Sequence, residues 1–168
     1  SQLLATGSVD GSIRIYAVES GALMRILVGN PSAVEHVVWS PDGRLIANGG
    51  YGRDVYLWDA VSGRPLRTLG PHPGAARAVC FSPDGKLIAV GCRGVGTVRL
   101  WETDSGRSIK DLAQGRRNMT DVAFSPDGAV LAVGADQLLR LWDVGSGDRL
   151  RDLTGHEAYS LVWSADGK

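Results

Sequence analysis

The chain repeats itself about every 42 residues, and three separate marks keep that period. Ser-Pro-Asp-Gly stands at Ser40–Gly43, Ser82–Gly85 and Ser125–Gly128, with the variant Ser164-Ala165-Asp166-Gly167 after them, so that Asp42, Asp84, Asp127 and Asp166 lie 42, 43 and 39 residues apart. An apolar-Trp-acid triplet recurs at Leu57-Trp58-Asp59, Leu100-Trp101-Glu102 and Leu141-Trp142-Asp143, with Ile15-Tyr16-Ala17 as a worn copy. Ser-Gly follows each triplet, at Ser20-Gly21, Ser62-Gly63, Ser105-Gly106 and Ser146-Gly147. Three independent marks on one period mean a repeat architecture, in which each unit buries its faces against its neighbours.

Each unit reads as four short strands, a to d, parted by turn chemistry. In the second unit, strand a is His36–Trp39, strand b is Leu45–Ala47, strand c is Val55–Trp58 and strand d is Leu66–Leu69. Between a and b, Pro41 presets φ, Asp42 bonds the local backbone, and Gly43 accepts positive φ. The strands are apolar on both faces, the pattern of a sheet packed between two other sheets.

Composition narrows the function classes. Across 168 residues, 18 Lys and Arg balance 18 Asp and Glu, which argues against a general nucleic-acid or membrane-surface binder. No apolar run reaches the length of a membrane span, and the Ser-Gln-Leu-Leu start lacks the order of a signal peptide. A start at Ser1 without a methionine is read as the mark of an upstream signal or domain that has been removed. Cys80 and Cys92 are the two cysteines. Hairpin register sets Cys80 opposite position 89, so Cys92 is out of step for a bridge, and reduced thiols in a cytoplasm are expected.

The spaced Trp-Asp or Trp-Glu pairs, the Ser-Pro-Asp-Gly turns and Gly155-His156 resemble the WD-repeat β-propellers along the whole chain. The wording of Phe81–Ala89 looks like bacterial members. The resemblance implies an all-β propeller of four-stranded antiparallel blades, with four blade equivalents in the chain. The phase is b-c-d over 1–29, full blades over 30–70, 71–115 and 116–155, and a lone strand a in 156–168. The lone a and the orphan b-c-d imply a composite blade made from the two termini.

Ser8, Asp10 and His156 would meet in that composite blade and could be mistaken for a catalytic triad. The family's buried tetrad of His, Ser or Thr, Asp and Trp is the better reading, because it satisfies loop backbone groups and fixes the Trp ring. Trp58, Trp101 and Trp142 are accordingly taken as structural, as is Asp136 in its b–c turn. Elsewhere the tetrad is eroded. Asn30 and Arg116 stand in for the His, His72 comes one residue late behind Pro71, and Cys92 and Ala135 stand where Ser would be, so several blades are expected to rely on apolar packing. His36, His72 and His156 lie in different repeats without metal spacing, and no phosphate loop joins a strand to a helix. No metal and no cofactor are expected.

Arg116 and Arg117 form the one compact basic cluster. With Arg53, Arg77 and Arg93 they fall on the d–a and b–c loops, which the resemblance places at one end of a ring. Tyr51 and Tyr159 on those loops are residue types that anchor interfaces. Glu35, Arg77, Thr120 and Tyr159 are equivalent positions just before each strand a, where the family presents contact residues around the channel mouth.

These features lead us to expect a non-catalytic scaffold or sensor module that binds a protein or peptide on its loop face. The alternatives are a propeller hydrolase or lactonase with a channel site, and an engineered or fragmentary part-propeller with no ligand of its own. If the chain is complete, two copies are expected to close an eight-bladed homodimer, each strand a completing the other's b-c-d. If it is a segment of a longer chain, further blades would close the ring instead.

Overall fold

A computed structural model describes residues 2–113, 119–155 and 158–167. Among them are fifteen strands in chain order. The first three, β1 (Leu3–Gly7), β2 (Ile13–Ala17) and β3 (Leu23–Leu27), make one sheet. Three four-stranded sheets follow: β4 (Val34–Trp39), β5 (Leu45–Gly50), β6 (Val55–Asp59) and β7 (Pro65–Leu69); then β8 (Ala75–Phe81), β9 (Leu87–Arg93), β10 (Thr97–Glu102) and β11 (Ser108–Ala113); then β12 (Met119–Phe124), β13 (Val130–Ala135), β14 (Leu138–Asp143) and β15 (Arg149–Thr154). Every pairing is antiparallel between strands adjacent in sequence. This is an all-β, propeller-like arrangement of blades.

The turns explain where strands stop. Ser40 Oγ donates to Asp42 Oδ1 at 2.6 Å and accepts from Leu45 N–H at 2.9 Å, while Asp42 Oδ1 also accepts Arg44 N–H at 3.0 Å. The same bonds recur at Ser82–Asp84 and Ser125–Asp127. Hydrogen bonds from the serines hold all three aspartates below the ordinary carboxylate range. At β13–β14 the turn is made by Asp136 and Gln137, with φ of 34° and 57°, the mirror-image hairpin turn whose twist suits the flanking strands.

Alternation along each strand sends one set of side chains to each neighbouring blade. Ile13, Ile15 and Leu27 pack on Ile46 and Trp58; Ala47, Leu57 and Leu69 pack on Ile88, Val90 and Trp101; Val98, Leu100 and Leu112 pack on Leu131, Val133 and Trp142. The first strands of successive blades lie against one another, β4 on β8 and β8 on β12, which makes them innermost. Each carries a β-bulge, at Glu35, Arg77 and Thr120 respectively. The extra residue re-aims the side chain at that point.

Cys80 faces Ala89 in the β8–β9 ladder and Cys92 faces Ala76, and both are free thiols. At the ends of the chain the ladders stop short. Among the described residues the β1–β3 sheet has three strands, and Leu161–Trp163 forms no ladder with it. The last segment is seated on β12, as β8 is on β4 and β12 on β8, through Leu161 N–H to Asp121 Oδ2 at 2.7 Å and Trp163 Nε1–H to Ala123 O at 3.2 Å.

Candidate functional site

The b–c and d–a loops share one end of every blade because the antiparallel order a-b-c-d returns the chain there. What holds those loops is a set of tryptophan anchors. In the second blade Trp58 donates its indole N–H to Asn48 Oδ1 at 2.7 Å, Asn48 Nδ2 donates to Asn30 Oδ1 at 3.1 Å, and Asn30 Nδ2 donates to Gly11 O at 2.9 Å. Two amides, each both donor and acceptor, thus do the work of the His-Ser pair.

In the third blade His72 takes over directly. Trp101 Nε1–H donates to His72 Nε2 at 3.0 Å, so the ring proton sits on Nδ1 and donates to Arg53 O at 2.9 Å. His72 N–H also donates to Arg53 O at 2.7 Å, and Arg53 Nε donates back to His72 O at 2.6 Å. Burial lowers the His72 pKa, since a charge on the fully covered ring would be unsolvated. Blades two and three therefore keep polar anchors for their indole N–H groups. In the fourth blade the Trp142 indole N–H is buried with no partner among the described residues. Trp101 and Trp142 also lie under the guanidinium groups of Arg99 and Arg140, each 5.7 Å from the ring centre. Those arginines are fixed by bidentate pairs across strands c and d, Arg99 to Asp111 at 2.5 and 2.6 Å and Arg140 to Asp152 at 2.7 and 2.9 Å.

Of the sequence-derived contact residues, the structure brings two together. Arg77 Nε lies 2.6 Å from Glu35 Oε2, an ion pair linking the bulges of adjacent blades. Thr120 occupies the third bulge, and its Oγ1 is buried without a hydrogen-bond partner among the described residues. Arg53 is committed to His72, as described above. Arg93, at the end of β9, is exposed, and its side chain makes no hydrogen bond or ion pair among the described residues. Tyr51 and Tyr159 are exposed by 64% and 76%. Arg116, Arg117 and His156 lie outside the described residues. Ser8 and Asp10 form a local turn: Ser8 Oγ accepts Asp10 N–H at 3.3 Å, and the Asp10 carboxylate accepts Ser12 N–H, Ser12 Oγ–H and Arg14 Nη2–H at 2.8, 2.6 and 3.0 Å. These bonds hold the Asp10 carboxyl far below its usual range.

Sequence reasoning missed Asn48, Arg99 and Asp111. A usable signal existed for the arginines, since Arg99 and Arg140 each stand two residues before a repeat tryptophan. At the opposite end, hollows of about 420 and 360 Å³ lie between successive Ser-Pro-Asp-Gly turns, whose aspartates Asp42, Asp84 and Asp127 already accept from Ser hydroxyls and backbone N–H groups.

Residues 5–141, from within β1 to within β14, match the family described as eukaryotic translation initiation factor eIF2A. The chain belongs to the eIF2A family. That family is one of β-propeller character, in agreement with the blades. Among curated proteins, none matches the chain.

Proposed function

We propose that this eIF2A-family chain is a non-catalytic interaction scaffold of WD-repeat type, working in the cytoplasm, that binds an acidic protein segment or peptide on the loop face of its blades. The observation that carries this reading is the division of labour among the loop arginines. Arg53 and Arg77 are held by His72 and Glu35, whereas the exposed Arg93 side chain has no hydrogen-bond or ion-pair partner among the described residues, and Tyr51 is exposed as well. In the sequence, Arg116 and Arg117 add two charges between β11 and β12. Loops fixed by buried anchors present such groups at low ordering cost, which favours binding.

Several facts favour display over catalysis. His72 has both ring nitrogens engaged, so neither is available to carry a proton to or from a substrate. Burial pushes the Cys80 thiol up to about 12 and the Cys92 thiol up to about 11, which leaves no thiolate nucleophile. Glu35, the acid at the channel mouth, is neutralised by Arg77. A hydrolase or lactonase site would need several free carboxylates or imidazoles converging there. Among the described residues, no helix is long and apolar enough to cross a membrane.

The match to a translation initiation factor family makes proteins of translation initiation the first partners to test, and the loop-wording likeness to bacterial WD-repeat members adds their bacterial counterparts. Immobilised short acidic peptides and purified initiation proteins are offered to the chain alongside an ester and lactone panel with and without divalent metals. Saturable capture with no turnover supports the scaffold. Turnover of any ester or lactone, abolished by a chelator, would replace it with the hydrolase reading.

A further inference from the structure

At the end of the blades opposite the loop face, each Ser-Pro-Asp-Gly turn leans on the next. Pro41 lies against Gly85 and Pro83 against Gly128, with Cδ 3.7 and 3.5 Å from a Cβ built on each glycine. Beside these contacts the seams stay open, as a hollow of about 420 Å³ between blades two and three and one of about 360 Å³ between blades three and four. Both are in the size range of sites that hold small ligands or single side chains. They share proline and aspartate walls and differ on the side of strand c.

The residue after each apolar-Trp-acid triplet stands at that side. Ala60, Thr103 and Val144 are equivalent, since their N–H groups donate to Arg44 O, Lys86 O and Ala129 O at 2.9, 2.8 and 2.9 Å. Ala60 belongs to the core with Ile13 and Ile15, and Val144 packs against the core of blades three and four. Thr103 instead lines the larger hollow, is 4% exposed, and its Oγ1 has no hydrogen-bond partner among the described residues. Buried hydroxyls in native folds have partners as a rule, so this one marks the larger hollow as a place that receives a polar group.

Charge narrows what that group is. The lining carries three carboxylates, Asp42, Asp84 and Asp104, against one ammonium, Lys86. Asp42 and Asp84 use Oδ1 for the Ser hydroxyl and backbone N–H of their own turns, at 2.6 and 3.0 Å and at 2.7 and 3.1 Å, and these bonds keep both ionised. Asp42 Oδ2 has no hydrogen bond among the described residues, and Asp84 Oδ2 has Lys86 Nζ at 3.7 Å, a loose pair between exposed side chains. Asp104 is exposed and its side chain makes no hydrogen bond or ion pair among the described residues. No three of the described acids, imidazoles or thiols stand close enough together to hold a metal ion, so the match is to a wide organic cation. A guanidinium is planar, carries five donors that reach carboxylates on two sides at once, and is more weakly hydrated than an ammonium. Pro41, Pro83 and Leu45 supply apolar wall for the stem that carries it.

We propose that the hollow between the second and third blades is a docking site for an arginine side chain presented by a basic segment of a partner protein. The guanidinium lies between Asp42, Asp84 and Asp104, one of its N–H groups donates to Thr103 Oγ1, and its methylene stem rests on Pro41 and Pro83. The neighbouring hollow offers Asp84 and Asp127 but no such hydroxyl, since Val144 stands at that position in the fourth blade. This inference does not rest on the loop-face reading, whose arginines lie at the other end and take an acidic segment.

Fluorescence anisotropy of the 168-residue chain with a labelled peptide of two arginines spaced by glycines tests it, beside the same peptide with lysines. The expected result is saturable binding of the arginine peptide, severalfold tighter than that of the lysine peptide. Thr103→Val, which gives the third blade the residue of the fourth, weakens binding about fivefold or more. Asp104→Asn, at an exposed position without a partner, weakens it about threefold or more. Both leave Tm at or above that of the parent, and Asp127→Asn, in the neighbouring hollow, leaves the affinity as in the parent. No saturable binding, equal binding of the lysine peptide, or parental affinity in Thr103→Val or Asp104→Asn overturns the proposal. So does an Asp127→Asn loss as large as that of Asp104→Asn, which would mean attraction to the acidic turns at large.

Discussion

Trp101 and Trp142 occupy the same place in adjacent blades, under the same kind of Arg-Asp clamp, yet one is anchored and the other is not. Trp101 gives its N–H to His72, whereas the Trp142 N–H finds no partner among the described residues. The repeat therefore preserves the packing role of the ring more strictly than its polar partner. A buried N–H left unpaired costs about 1–3 kcal/mol, so the fourth blade should be the weaker one.

Four measurements break or sharpen this contrast. Trp101→Ala has the largest expected effect, about 3–5 kcal/mol from the lost ring and the cavity, with His72 Nε2 left without its donor. Trp142→Ala should cost less by about 1–2 kcal/mol, and equal losses in urea unfolding would erase the distinction between the blades. Asn48→Ala should cost about 1–3 kcal/mol, because it strands both the Trp58 N–H and Asn30. A loss as small as that of a surface substitution would show that the amide chain is not an anchor.

The third measurement is pH dependence. His72 is held neutral below the ordinary value of 6.5 by burial, so on acidification the unfolded chain takes up a proton that the native chain does not. The stability His72 contributes is complete above pH 6.5 and is lost as pH falls through that value toward the lowered native one. Urea midpoints at pH 7.5 and 5 should differ more for the parent than for His72→Gln, which can still accept the Trp101 N–H. Equal differences would mean that His72 is not the titrating anchor. The smallest effect is expected from Trp142→Phe, which deletes an unpartnered N–H and should change stability by less than about 1 kcal/mol, against about 1–3 kcal/mol for Trp101→Phe.

The equivalence of Glu35, Arg77 and Thr120 was legible because repeats report it several times over, but only the structure shows that these positions are strand-a bulges. The anchors were harder to read. Asn48 stands where Ser was sought, and only the fold shows that an amide can accept from Trp58 while donating to Asn30. His72 looked displaced by one residue, but the Arg53–His72 backbone bonds bring its Nε2 to the indole. The Arg99–Asp111 pair spans strands c and d, and no local pattern announces a contact set by register. Arg53 looked like a free rim charge and is instead part of the His72 clasp. Free and engaged arginines carry the same letter in a sequence, so the contact set could be listed from sequence but not divided.

That division is the heart of the functional account, and a paired binding and melting measurement on one variant tests it most directly. The triple charge reversal Arg93→Glu, Arg116→Glu, Arg117→Glu is compared with the parent for capture on immobilised acidic peptides and for Tm. The account predicts capture weaker by about tenfold or more with Tm moved by no more than a few degrees, since a surface substitution such as Arg93→Glu stays within about 0.5 kcal/mol. Undiminished capture, or no saturable capture by the parent at all, would contradict the assignment of this face as the binding surface.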